Sequence, residues 1–90
     1  MAGLLSIKRY RYDKVYSSES VIIEYGYGLI IVSSSTIGKT SVAAKQANSI
    51  TVITDQPNLK IESISEYSFK VTNMSSQNIS MNINLFGYIN

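Results

Sequence analysis

The chain has 90 residues, of which 44% are hydrophobic and 16% charged, and its formal net charge is +2 at pH 7. These values predict a single folded domain over residues 1–90, and they give no argument for nucleic acid or an anionic membrane as partner. Cys, His and Trp are absent. This excludes disulfides, a thiol nucleophile and Cys/His metal sites, and it removes the commonest general base. We therefore expect a binding or structural domain that is not an enzyme and has no catalytic residues, metal or cofactor.

The first half of the chain is dominated by strand patterns. Residues 4–16 form an irregular strand candidate. Residues 19–25 and 27–34 are β-branched and apolar, and Gly26 between them indicates either a tight hairpin or a bulge. Residues 40–48, "TSVAAKQAN", are the one segment that could form a helix, although nine residues is a marginal length.

The second half alternates more regularly. Strands are predicted over residues 49–55, 58–65, 66–73 and 78–89, with a turn at the Asp-Gln-Pro-Asn sequence and a hairpin loop over residues 73–78. Six to eight short strands spaced about ten residues apart favour an all-β fold. The expected architecture is an antiparallel β-sandwich, jelly-roll-like. No apolar run approaches the roughly 20 residues of a membrane span, so we expect no membrane partner.

The "GKT" sequence at residues 38–40 raises the question of a phosphate-binding loop. That loop has a glycine five positions before Gly38, but this chain has Ser33 there. The glycine matters because the backbone curls around a phosphate in conformations that a Cβ disfavours. We therefore predict a turn between antiparallel strands, with Lys39 exposed at its tip.

A basic and aromatic segment, "KRYRYDK", occupies residues 8–14. Cations beside tyrosines could hold phosphates and stack bases, which makes a small nucleic-acid-binding β module the alternative function. A strand with one solvated basic face is the simpler interpretation, because the chain has no second basic cluster. We therefore do not expect nucleic acid as a partner.

Tyrosine is the most frequent aromatic residue, with seven copies. Its large, stiff ring and single hydroxyl suit recognition surfaces. Tyr25 and Tyr27 could instead pack across a strand pair. The residues expected to contact a ligand or partner are Tyr10, Arg11, Tyr12, Tyr25 and Tyr27.

The last 18 residues carry no charge. Within them one strand face is apolar and the other is rich in Asn and Ser, a pattern that fits a strand between the core and a neighbouring subunit. A central strand within one monomer would give the same pattern, but we favour the homo-oligomer. The expected oligomer contacts are Ile79, Met81, Ile83 and Leu85.

Two stretches carry a family resemblance: "GYGLIIVSSS" (26–35) and the closing "SFKVTNMSSQNISMNINLFG" (68–87). The chain resembles small β-sandwich modules in bacteriophage virion proteins and in prophage-encoded minor structural proteins. The resemblance implies a fibre, spike or capsid-decoration module, located in a virion or outside the cell. It also implies a homo-oligomer, with a trimer favoured, that binds other virion proteins or a host-surface glycan or stabilises a particle.

Overall fold

A computed structural model describes residues 4–89, which contain eight β-strands and no helix. The strands are β1 (Leu4–Val15), β2 (Ser20–Glu24), β3 (Tyr27–Ser34), β4 (Lys39–Gln46), β5 (Ser49–Thr54), β6 (Leu59–Ser65), β7 (Ser68–Asn73) and β8 (Ile79–Ile89).

The strands form two antiparallel sheets. One has five strands in the order β1-β8-β3-β4-β5, and the other has three in the order β2-β7-β6. The first strand pairs with the last, and the second strand pairs with the last but one. Strands from the beginning and the end of the chain are therefore neighbours in both sheets. The predicted antiparallel all-β fold is confirmed, as a sandwich of five strands on three.

The core lies between the sheets and is built by strand alternation, because successive side chains point to opposite faces. From the three-stranded sheet, Phe69 and Val71 of β7 are fully buried. From β8, alternate residues meet them: Ile79, Met81, Ile83 and Leu85, each 0–1% exposed. Burying each such side chain contributes about 1.5–3 kcal/mol.

This placement corrects the expectation for the β8 residues. Their side chains contact the opposite sheet of the same chain, and β8 is a central strand between β1 and β3. No surface of these four side chains is left for a second subunit. The core interpretation therefore replaces that of an oligomer contact for Ile79, Met81, Ile83 and Leu85.

The helix considered for residues 40–48 is not formed. That segment belongs to β4, which pairs with β3 on one side and β5 on the other. Its inward residues, Ser41, Ala43 and Lys45, are buried in alternation. The predicted turn before it is confirmed, with Gly38 at φ 62°. Lys39 is exposed as predicted, but it is the first residue of β4, paired with Ser34, and does not lie at the tip of the turn.

Two predicted hairpins are wrong because the strands that they would join lie in different sheets. Gly26 is a crossover from β2 to β3, and its carbonyl accepts a hydrogen bond from the Ala47 amide at 3.0 Å. Residues 74–78 likewise cross from β7 to β8. Among residues 4–89, no helix is long and apolar enough to cross a membrane.

Candidate interaction surface

The outer side of the five-stranded sheet carries an apolar surface, which we call the sheet-face patch. Its members alternate with core residues along their strands, so they point away from the three-stranded sheet. The patch consists of Ile7, Leu29, Ile31, Val42, Ala44 and Phe86. All but Ile7 are partly buried by their neighbours, and Ile7 is 55% exposed.

The patch is organised as rows of paired residues that run across the strands. One row reads Ile7, Phe86, Leu29, Ala44, Thr51, and the next reads Arg9, Asn84, Ile31, Val42, Thr54. Apart from Arg9 on the edge strand β1, neither row carries a charge. A broad neutral face of this kind is typical of an interaction surface rather than a solvated one.

Strand β1 forms one edge of this sheet, and its basic and aromatic side chains divide between the two faces. Tyr10 and Tyr12 point inward and pack against the core. Arg9 and Arg11 belong to outward rows, and Arg11 lies 3.4 Å from Asp13 in a fully exposed ion pair. Lys8, paired with the core residue Leu85, shares the face of the two tyrosines, but both arginines lie on the opposite face. The arginines and rings therefore do not form one continuous surface, as base stacking with phosphate contacts would require.

Strand β5 forms the other edge of the sheet. It carries no charged residue, and Val52 and Ile53 are 46% and 60% exposed. Beside it a cavity of about 350 Å³ opens between the sheets. Its lining is mostly apolar, with a few polar groups: Val52, Pro57, Leu59, Ile61, Met74, Ser41, Asp55, Gln56 and Lys60. Sequence reasoning missed this site, although the neutral, β-branched "SITVIT" was its signal.

The two tyrosines of the "EYGYG" segment have different roles. Tyr25 points into the sandwich, where its ring meets Phe69 edge-on at 6.4 Å, and burial raises the pKa of its hydroxyl. Tyr25 thus packs against the core with its hydroxyl buried. The Tyr27 hydroxyl donates to Glu66 Oε1 at 3.3 Å, and partial burial together with the Glu66 charge raises its pKa. Tyr27 stays accessible to a ligand.

Lys45 is a buried cation that the sequence did not indicate, and it is only 2% exposed. Its Nζ donates to the carbonyl oxygens of Ala47 and Ser65, the latter at 2.7 Å, and it lies 3.4 Å from the Glu66 carbonyl. Burial lowers the pKa of Lys45, while the negative charge of Glu66 acts in the opposite direction. Lys45 thereby joins the β4–β5 turn to the β6–β7 turn at one end of the sandwich.

We expect the free energy of unfolding to depend on pH through Lys45. Because its pKa is lower in the folded chain, the unfolded chain binds more protons between that lowered value and 10.5. Stability should therefore rise with pH in this window. Lys45→Met should flatten the rise, and Glu66→Gln should steepen it because a charge that favours protonated Lys45 is lost. The measurement is urea unfolding from pH 7 to about 9.5, below the tyrosine titrations. Equal slopes in all three proteins would contradict the assignment.

Comparisons of the chain with protein-family models, curated proteins and solved structures found no match. Within the described part of the chain, no three Asp or Glu residues are grouped so that they could hold a metal ion. The arrangement that the described residues do provide is an apolar sheet face bounded by one basic and one neutral edge. Such a surface suits contact with another macromolecule.

Proposed function

We propose that the protein is a non-enzymatic structural module that assembles as a homo-oligomer through the sheet-face patch. The observation that carries the proposal is the continuous neutral face around Leu29, Ile31 and Phe86, which the three-stranded sheet leaves open. Interfaces between identical subunits are more apolar than the rest of a protein surface and are depleted in charge at their centre. The same patch on the other copies of the chain satisfies both conditions.

A virion or other extracellular appendage is the proposed setting, and a trimer is the proposed assembly. The resemblance to phage structural modules supports both. The described residues also form an elongated body, with extents of 45 × 20 × 20 Å, as a fibre or decoration module would need. Among the proposed contacts with a host-surface glycan or another virion protein, Arg11 is exposed, and Tyr27 is half-buried, as are Tyr10 and Tyr12 on β1.

Solution mass tests the assembly, measured by light scattering on a sizing column. The wild-type protein should have about three times the chain mass of 10.0 kDa. Ile31→Lys places a charge at the centre of the patch and should give the monomer mass, because an unpaired charge in an interface costs several kcal/mol. The matched control is Ile22→Lys, since Ile22 is 67% exposed on the three-stranded sheet and that variant should stay trimeric.

A wild-type monomer would overturn the oligomer, and trimers of equal mass for the wild type and both lysine variants would overturn the sheet-face patch as its interface. The nucleic-acid alternative has its own signature. It requires oligonucleotide binding that weakens steeply with salt and is lost in the double variant Arg9→Ala, Arg11→Ala. The proposed structural module should show no such binding.

A further inference from the structure

We infer that the free edge of β5 receives strand β1 of a second copy, so that neighbouring five-stranded sheets join edge to edge into a ring. The inference rests on the proposed homo-oligomer and names a contact in it. Both strands are terminal in the sheet, so each leaves one row of backbone N–H and C=O groups unpaired within the described chain. Such groups are a template for pairing with another chain.

The two edges differ in charge. Strand β1 carries the cations Lys8, Arg9, Arg11 and Lys14 against the single acid Asp13. Two copies of β1 would therefore repel each other, since like charges on opposing strands are destabilising. Strand β5 is neutral and is followed directly by Asp55. This charge pattern disfavours β1 with β1 and favours β1 with β5.

Asp55 supplies the complementary charge. It is exposed, and no ion pair is found for it among residues 4–89. The nearest basic residue in the same cavity lining, Lys60, already lies 3.8 Å from Glu62. The Arg11–Asp13 pair on β1 is 80–90% exposed, and pairs of that kind stabilise little. Arg11 is thus free to exchange Asp13 for an acid on another subunit.

The rows of the sheet set the register of this contact. Ile7 and Thr51 end one row, and Arg9 and Thr54 end the next. Placing Thr51 beside the partner subunit's Ile7 continues the first row. The bulge of β5 at Ile53, where Val52 and Thr54 face consecutive residues of β4, then brings Thr54 level with the partner subunit's Arg9. Asp55, which follows Thr54 and lines the cavity on the inward side, then lies at the level of the partner subunit's Tyr10. The long side chains of the partner subunit's Arg9 and the partner subunit's Arg11, which start on the outward side, would reach it around the end of β5.

The identity of the two paired edges determines the symmetry. Because neighbouring strands are antiparallel throughout, β1, β3 and β5 run in the same direction, so the new pair is parallel. A contact between two different edges is heterologous, and it gives a ring when the rotation closes and a filament when it does not. The proposed trimer is the ring form, in which the strands would tilt about the ring axis. In such a ring the sheet-face patches can all turn toward the central axis.

The cavity beside β5 gives the contact a second component. On the inward side, the row that ends at Ser41 begins at Tyr10. Ser41 lines the cavity, together with Val52 and Ile61. In the proposed contact, the partner subunit's Tyr10, which is half-exposed at the β1 edge, therefore lies at the mouth of the cavity. A tyrosine suits this position because its ring covers the apolar wall while its hydroxyl stays near solvent.

The test is a cysteine cross-link, which the chain allows because it has no native cysteine. The double variant Ile7→Cys, Thr51→Cys places one thiol on each edge and leaves every charge in place. Within one subunit these positions are four strand spacings apart, about 19 Å. A disulfide needs Cα atoms about 4.4–6.8 Å apart, so only a link between subunits can form. Oxidation should give covalent trimers on a denaturing gel, and each single variant should give monomers.

Charge reversal gives an independent measurement, since a thiol pair with poor geometry would fail to link. Asp55→Lys should raise the dissociation constant of the oligomer about tenfold or more at low salt. Adding Arg9→Glu to the Asp55→Lys variant should restore the wild-type dissociation constant. The matched control is Glu24→Lys, which reverses an exposed acid on the edge of the other sheet and should change nothing.

Each other outcome overturns the inference in a recognisable way. Covalent dimers from Thr51→Cys alone would mean that β5 pairs with a second β5 about a two-fold axis. A native trimer that neither cross-links nor responds to Asp55→Lys would leave the proposed homo-oligomer standing, held by the patch without the edges. A monomer in solution would remove both the inference and the proposed assembly.

Discussion

Asn73→Asp is expected to destabilise the protein by about 3–5 kcal/mol at neutral pH, a large part of a typical domain's 5–15 kcal/mol. Asn73 is completely buried at the end of β7. Its Nδ2 donates to the carbonyl oxygens of Val15, at 2.9 Å, and Gln77, at 2.8 Å. Its Oδ1 accepts from the amide and the hydroxyl of Ser75, at 2.9 and 2.6 Å. One amide thus fastens the end of β1 to the crossover before β8.

An aspartate has nearly the same shape but no N–H group, so its second oxygen would face two carbonyl oxygens. Burial and this contact favour the protonated carboxyl, and they would raise the pKa of the introduced group above its unfolded value. The folded variant then binds more protons than the unfolded chain. Its stability should fall as pH rises from about 4 toward neutrality, and part of the loss should be recovered in acid.

Asn78→Asp is the matched control. Asn78 is exposed, and its Oδ1 accepts from the Ser17 amide at 3.2 Å, a role that a carboxylate also fills. We expect a change within about 0.5 kcal/mol for this variant. The measurement is urea unfolding of both variants between pH 4 and 7. Equal losses at positions 73 and 78, or a loss at 73 that does not depend on pH, would contradict the role given to the Asn73 amide.

The sequence was sufficient to predict strands and their buried faces where the alternation is clean. Alternation over residues 66–73 predicts Tyr67, Phe69 and Val71 on one face, and Phe69 and Val71 of β7 are fully buried. Tyr67, predicted on the same face, is 62% exposed because it lies in the turn before the strand. In the helix-like segment over residues 40–48, pairing with strands on both sides overrides a weak local preference.

The connections and the candidate surface needed information that no local pattern contains. Gly26 and residues 74–78 look like hairpin turns, but whether two strands share a sheet depends on how the two sheets pack. Residues 29–32 are continuously apolar, so the sequence could not separate the inward Ile30 from the outward Leu29 and Ile31. Only the register with β8 and β4 shows which of them form the sheet-face patch.

Gly87→Ala is expected to cost about 3 kcal/mol or more, because it places a methyl group where none fits. Gly87 of β8 pairs with Gly28 of β3, and the Tyr25 side chain lies against both glycines. A Cβ on Gly87 would overlap the Tyr25 hydroxyl and the Tyr27 carbonyl oxygen, and Tyr25 Cζ would be only 2.8 Å away. The backbone oxygen belongs to a paired strand and cannot move aside as a flexible side chain would.

Gly38→Ala separates loss of space from backbone strain. Gly38 has a φ of 62° in the β3–β4 turn, and a Cβ there would meet no atom within 4 Å. The Gly38→Ala substitution should lower the free energy of unfolding by about 1–2 kcal/mol, the strain of an alanine in a left-handed conformation. Thermal and urea unfolding of the two alanine variants measure the difference, and a smaller loss for Gly87→Ala than for Gly38→Ala would contradict the close packing.

Tyr25→Phe separates the two overlaps that make Gly87→Ala destabilising, one with the Tyr25 hydroxyl and one with the Tyr27 carbonyl oxygen. The Tyr25 hydroxyl is buried, and no hydrogen-bond partner is found for it among the described residues. Removing it should therefore leave the wild-type stability unchanged or raise it by about 1 kcal/mol. In the Gly87→Ala background, Tyr25→Phe should recover part of the loss, because the hydroxyl overlap is relieved while the Tyr27 carbonyl remains. Additive effects of the two changes would mean that the ring does not lie on Gly87, since only residues in contact show a coupling energy.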